Sequence, residues 1–279
     1  MEVADDCQNR KSDGVEQANE GKYGWGRCYN GCKMPRKFCQ VCHATDLRII
    51  HRQDDYIIVS CRQCGFGWLD NPPSAKQLAS IYQEGYHDYI SEADFKADAV
   101  KKFELVSQYA KEGCKLLDYG CGLGSFLVVA KQFGCKVQGY DVSTAVAGSG
   151  VKTGKPSRQM FTKARFDVIT CFDVIEHILN WEEILRWWKW WLKPTGHLFI
   201  TTPSLDSWDA KLMKRRWYGF TRIPQHVNYF TRNSLIRALS TAGFKVKKFQ
   251  TWGFVRSINY LLGRLGIKPS QLWGNKQIY

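Results

Sequence analysis

An α/β fold, a parallel sheet covered by helices on both faces, is what this sequence predicts, with a small cysteine-bearing module in front of it. Three observations lead there. From about residue 97, short apolar runs alternate with helix-like segments. A glycine-rich turn, Asp118-Tyr119-Gly120-Cys121-Gly122-Leu123-Gly124, joins one such run to one such helix. Upstream lie two Cys-x-x-Cys pairs.

The 279 residues suffice for one sizeable domain plus an appendage, and 44% hydrophobic with 24% charged residues is ordinary for a globular chain. No stretch reaches the ~18 apolar residues of a membrane-spanning helix. The N-terminus has no apolar signal region, so the expected location is cytoplasmic, with a peripheral membrane position as the variant. The net charge of +14 admits nucleic acid, a membrane surface or an anionic substrate as partner. The basic residues are spread along the chain, with a denser run from Lys211 to Arg222, and a spread-out charge reads first as solvated surface.

Residues 1–35 are polar and read as a flexible leader; Cys28 and Cys32 within it are incidental thiols on this reading. Residues 36–70 form the small module. Cys39 and Cys42 make one pair, Cys61 and Cys64 the other, with eighteen residues between. That spacing is the one of a four-cysteine zinc site, with each pair on a tight knuckle and Gly65 suited to the turn. Four sulfur ligands close the coordination sphere, so the zinc is expected to be structural and to supply the folding energy of a module with little core.

Residues 71–96 read as a linker and lid helix. Asn71 and two prolines stop the preceding strand, and Ser74 caps the helix. Tyr86 and Tyr89 can lid a cofactor carboxylate or pack on the helix. The main domain spans 97–279. KLLDYG, KVQGYDV, RFDVITCF and HLFITTP read as buried strands; SFLVVAKQFG and WEEILRWWKWWLKP read as helices. Trp187, Trp190 and Trp191 share a helical stripe that predicts core. SLIRALSTAGF is a helix ending at Gly243, and KVKKFQTWGF a late strand.

The turn is Asp-x-Gly-x-Gly-x-Gly rather than the Gly-x-Gly-x-x-Gly of dinucleotide binders. Gly120, Gly122 and Gly124, with Cys121 between, let backbone approach a nucleoside. Asp118 suits an ammonium, and Asp141, 21 residues after Gly120, can accept both ribose hydroxyls. A nucleoside cofactor with an amino-acid end and no pyrophosphate, S-adenosylmethionine, fits this set. Val142 and Phe172 complete the expected cofactor contacts. After the RFDVITCF strand come Asp173, Glu176 and His177, at the edge where such sheets bind ligands; their spacing puts Asp173 with Glu176 or His177 on one helical face. His177 is a candidate general base, and an acid-rich helix start is the plain alternative. His226, in PQHVNYF, is the second catalytic candidate against a loop histidine bonded to backbone.

The two CxxC pairs, LLDYGCGLGSF, GYDVS, FDVITCFDVIEHILNWEEILRWWKWWLKPTGHLFITTP and RRWYGFTRIPQHVNYFTRNSLIRALSTAGF together resemble the class I S-adenosylmethionine-dependent methyltransferases related to the ubiquinone-biosynthesis O-methyltransferases, in the subset that carries an N-terminal zinc ribbon. The resemblance covers about residues 38–250. It implies a Rossmann-like, seven-stranded sheet, a cofactor at the carboxyl ends of the first two strands, and a divalent cation near Asp173, Glu176 and His177. It also implies a small-molecule acceptor, a hydroxyl of a sugar, glycan precursor or similar metabolite, with carbon or nitrogen as alternatives; the basic run KLMKRRWYGF suits an anionic or lipid-linked one, or is a solvated loop. The chain departs from the family between Val151 and Phe166, where a short basic segment lacks the acid that touches adenine; a backbone amide, Met160 or Phe161 is the replacement expected. A nucleic-acid methyltransferase using the ribbon and the basic surface, and an inactive zinc-dependent binding protein, are the competing functions.

Overall fold

The structure is a computed structural model describing residues 36–83, 92–144, 150–251 and 253. The leader with Cys28 and Cys32, and Tyr86 and Tyr89, lie outside the described residues. Among the described residues nine strands form two sheets. β1 (Leu47–Gln53), β2 (Tyr56–Cys61) and β3 (Gly67–Leu69) make an antiparallel meander. Helices α1 (Ala75–Gln83) and α2 (Glu92–Val106) follow. The main sheet then alternates with helices: β4 (Lys115–Tyr119), α3 (Ser125–Gln132), β5 (Lys136–Asp141), β6 (Val151–Thr153), β7 (Phe166–Phe172), α4 (Trp181–Trp191) and β8 (Leu192–Thr201). α5 (Trp208–Met213), β9 (Asn228–Tyr229) and α6 (Arg232–Thr241) complete the described elements. No helix among the described residues is long and apolar enough to cross a membrane.

The main sheet is parallel in the order β6-β5-β4-β7-β8. The strand order turns back between β4 and β7, which opens a crevice at their carboxyl ends. β4 shows why both faces are covered. Leu116 packs with Phe103, Phe126 and Val129 of α2 and α3, while Leu117 and Tyr119 pack with the α4 face. On α4 the buried stripe is Trp181, Ile184, Leu185, Trp188 and Trp191. Trp188, fully buried and edge-on to Tyr119, is therefore core, whereas Trp187 and Trp190 of the expected stripe are only half-buried; Trp190 lies under the guanidinium of Arg158.

Five strands of the expected parallel sheet lie among the described residues. The late strand expected from KVKKFQTWGF is not formed over 244–251, where no strand among the described residues takes up the backbone hydrogen bonds; the end of that segment lies outside the described residues. The helix read as ending at Pro194 ends at Trp191, because Leu192 already pairs with Phe166 of β7. Ser74 does cap α1: the Gln77 amide donates to Ser74 Oγ and the Ser74 amide to Gln77 Oε1.

The cysteine module is fused to the main domain. β9 pairs antiparallel with β3, Gly67 opposite Tyr229 and Trp68 opposite Asn228, so a strand from the far end of the chain finishes the module's sheet. Phe66 packs on Trp181 and Phe230, and Ile58 and Leu69 pack with Trp217, Phe220 and Tyr229.

Candidate functional site

The four cysteine sulfurs lie within 4.8 Å of one another, with Cys39–Cys64 at 3.5 Å and Cys42–Cys61 at 3.4 Å. A disulfide needs about 2.05 Å; sulfurs around a tetrahedral zinc at about 2.3 Å stand roughly 3.8 Å apart. The two knuckles repeat one design. In each, the residue after the second cysteine donates its amide to the carbonyl of the first: His43 to Cys39 at 2.8 Å and Gly65 to Cys61 at 2.9 Å. Both residues have positive φ, 61° and 78°. At Gly65 a side chain would also press into Thr231, whose hydroxyl donates to the Cys64 carbonyl. Burial pushes the Cys39 and Cys64 thiols up, Cys64 to about 11. The described cluster fits a cation that would hold these sulfurs as thiolates.

The expected cofactor residues gather at the carboxyl edge of β4, β5 and β7. Gly120 has φ 83°, and a Cβ there would run into the methyl groups of Val174. Asp141 ends β5; its carboxylate accepts from the Gly122 amide at 2.8 Å and the Ser143 amide at 2.9 Å, which ties the glycine turn to the neighbouring strand. Val142 beside it is 40% exposed, an open apolar surface next to the acid. Cys121 is buried, its thiol pushed up by that burial, so it packs rather than reacts. Asp118 is buried and accepts from Thr170 Oγ1 at 2.7 Å; burial pushes its carboxyl up to about 6. Phe172 packs edge-on against Phe126.

Of the replacements expected between Val151 and Phe166, Phe161 is packed away. β6 runs beside β5 with Thr153 opposite Asp141. Phe161 is core, edge-on to Phe166 and Trp191, next to the amino end of β7.

Lys102 of α2 escaped the sequence reading, because a lysine on an amphipathic helix looks solvated. It is buried here. Its ammonium lies 3.0 Å from both Asp98 and Asp173 and 5.4 Å from the Phe172 ring centre. The two carboxylates outweigh the cost of burial and raise its pKa. The i,i+4 pair Asp98–Lys102 was the available signal.

Asp173 does not share a helical face with Glu176 or His177. It has φ 59°, and its carboxylate is taken by Lys102 and by the Thr201 hydroxyl at 2.9 Å. Only Ile175–His177 form a short 3-10 turn. The structure instead brings Glu176, His177 and His226 together, with candidate ligand atoms within 4.8 Å. The two imidazoles meet edge-on at 4.8 Å. Each Nδ1 faces a carbonyl at 3.0 Å, Gln225 for His177 and Gly219 for His226. Donation from both Nδ1 leaves both Nε2 with a lone pair. Burial lowers both histidines, His177 to about 4, so both are neutral. Glu176, also buried, takes a hydrogen bond from Thr202 at 2.9 Å and is pushed up to about 8 by burial and by Asp173. Asn228, from β9, holds this turn: its amide donates to the carbonyls of Ile175 and Ile178.

Residues 89–248, more than half of the chain, match the family described as methyltransferase domain. Phosphoethanolamine N-methyltransferase 3 of Arabidopsis thaliana is 24% identical over 236 residues, 68% of this chain and 47% of that protein. Ubiquinone biosynthesis O-methyltransferase of Azoarcus sp. is 32% identical over 157 residues, 47% of this chain and 67% of that protein. The chain thus spans about half the length of the plant relative. The crystal structure of a SAM-dependent methyltransferase from Archaeoglobus fulgidus aligns with a TM-score of 0.46 at 20% identity, covering 61% of this chain and 75% of that one. The parallel sheet, its glycine turn and the family match together establish that the chain belongs to the class I S-adenosylmethionine-dependent methyltransferases.

Proposed function

We propose that the protein transfers a methyl group from S-adenosylmethionine to a hydroxyl of a small metabolite, a sugar or glycan precursor. The observation that carries this reading is the convergence of Asp118, Asp141 and Phe172 around the glycine turn, with Glu176 and His177 on the turn that follows the strand ending at Phe172. Asp141 would take the ribose hydroxyls and Val142 an adenine face. Asp118 would take the amino-acid ammonium, and Lys102 the carboxylate.

The acceptor oxygen attacks the sulfonium methyl in line; the carbon–sulfur bond breaks and its electron pair stays on sulfur. The hydroxyl proton passes to His177 Nε2, the more exposed of the two neutral imidazoles. His226 orients His177 across their edge-on contact. The same three groups fit a second reading, a divalent cation on Glu176, His177 and His226, because two fixed Nε2 lone pairs and a carboxylate make a coordinating set. Such an ion would polarise the acceptor oxygen. On Cys39, Cys42, Cys61 and Cys64 a zinc would be structural.

Calorimetry with S-adenosylmethionine tests the cofactor reading: micromolar binding is expected, and Asp141→Ala should abolish it. Undetectable binding by the wild-type chain would sink the proposal and favour an inactive binding protein. The buried Asp118 adds a pH signature. Burial keeps it neutral in the empty site below about pH 6, and a bound ammonium needs the ionised form. Affinity should therefore rise with pH through about 6, by about 10-fold between pH 5 and 7, and this slope should vanish in Asp118→Asn.

A further inference from the structure

The net charge of this chain has an address. Residues 1–209 carry 26 of the 40 Lys and Arg and all 26 Asp and Glu, and are neutral as a block. The other 14 cations lie in residues 210–279, which contain no acid. The basic residues are scattered, but the acids are not, so the even-surface reading of the +14 fails. An asymmetry of this kind points to a polyanionic partner.

Within the described part of that region one surface stands out. α5 leaves Trp208 72%, Leu212 67% and Met213 48% exposed. Trp208 and Leu212 are four residues apart, on one helical face. Around them Lys211, Lys214, Arg215 and Arg216 are all exposed, and no salt bridge among the described residues engages any of the four. The nearby acid Asp209 is occupied by the Trp217 indole at 3.0 Å. The patch is rigidly based, since Trp217 and Phe220 directly behind it are buried against β2 and β9. A basic residue continues it: the amide of Arg232, at the start of α6, binds Asp206 two residues before α5, and its guanidinium covers the exposed Phe249.

A nucleic acid would use the cations and could stack on Trp208, but it has no use for exposed Leu212 and Met213. An anionic lipid surface takes both, with apolar tips entering the acyl boundary and cations meeting headgroups. We propose that α5 and the following Lys214–Arg216 turn dock the protein on an anionic lipid bilayer. The patch belongs to the segment that also carries Gly219 and His226.

Co-sedimentation of the full-length protein with large unilamellar vesicles tests this without any methyl acceptor, and so independently of the activity. Vesicles of phosphatidylcholine with about one-third phosphatidylglycerol should retain the protein, and pure phosphatidylcholine should not. Neutralising the four cations (K211Q, K214Q, R215Q, R216Q) should weaken partitioning by about 100-fold or more. The apolar double variant W208S/L212S should weaken it by about 10-fold or more, with circular dichroism and calorimetric cofactor binding unchanged in both. Brominated lipid should quench less fluorescence in Trp208→Phe than in wild type. Absence of binding to anionic vesicles, or equal binding to neutral ones, would overturn the proposal. So would binding that ignores W208S/L212S and is competed away by single-stranded RNA, which would mark a nucleic-acid surface.

Discussion

Cys39→Ser should release the metal and disorder the ribbon, and its effect should travel into the catalytic domain. The ribbon's strands are short and its own burial is small, whereas zinc binding by such clusters contributes on the order of 10 kcal/mol. Without the ion, four buried or half-buried sulfurs have no common partner. β3 then loses its anchor, and with it the pairing of Trp68 and Gly67 to β9. Asn228 of β9 is the residue that holds the carbonyls of Ile175 and Ile178, and His226 is two positions away. Hydrogen exchange across residues 226–230 should accelerate at least ~10-fold, while the glycine turn, packed on α2 and α3, stays protected. Wild-type protein should carry about one zinc per chain and the variant much less. Unchanged exchange in β9 of the metal-free variant would show that the two sheets are energetically separate.

Gly120→Ala should have the second large effect, on cofactor binding. Two costs add. The left-handed φ of 83° costs a side chain about 1–2 kcal/mol. The new Cβ would also overlap the methyl groups of Val174, which cannot move freely, because its neighbour Ile175 is fully buried. Overpacking of this kind costs about 1–3 kcal/mol more. The turn would shift to relieve the overlap and carry the Gly122 amide away from Asp141. Affinity for S-adenosylhomocysteine should fall by about 10-fold or more, measured by calorimetry. Val174→Ala in the same chain should recover part of the loss and leave the φ cost. Full recovery would mean the backbone conformation is unimportant, and no loss in the single variant would mean the turn does not carry the cofactor.

The parts of this molecule legible in the sequence are those with a local code. β4, the glycine turn, α3 and β5 are contiguous, each set by apolar run length or by glycines in the turn. The cysteine pairs are legible because a metal knuckle fixes spacing. His177 and His226 each stand out by their sequence neighbours, but their meeting is a property of the fold, since His177 Nδ1 reaches the Gln225 carbonyl, 48 residues along the chain and next to His226. The rest was hidden for physical reasons. β9 is two residues long and pairs with a strand about 160 residues earlier, so nothing near it announces a strand. Lys102 is buried only because Asp98 and Asp173 converge on it. Asp173 looked like a member of the acid–histidine group by spacing, and its positive φ removes it. The 244–251 segment shows the reverse case, a strand-like run with no strand beside it among the described residues.

The closing of the ribbon's sheet by β9 also sets a timetable for synthesis. Cys39 to Cys64 leave the ribosome well before β9, and the open side of β3 has no strand to pair with until residues 228 and 229 emerge. Until then the nascent chain displays an unpaired strand edge beside Phe66 and Trp68, the kind of surface that recruits other chains. A truncation anywhere before β9 would make that exposure permanent, even with its metal bound.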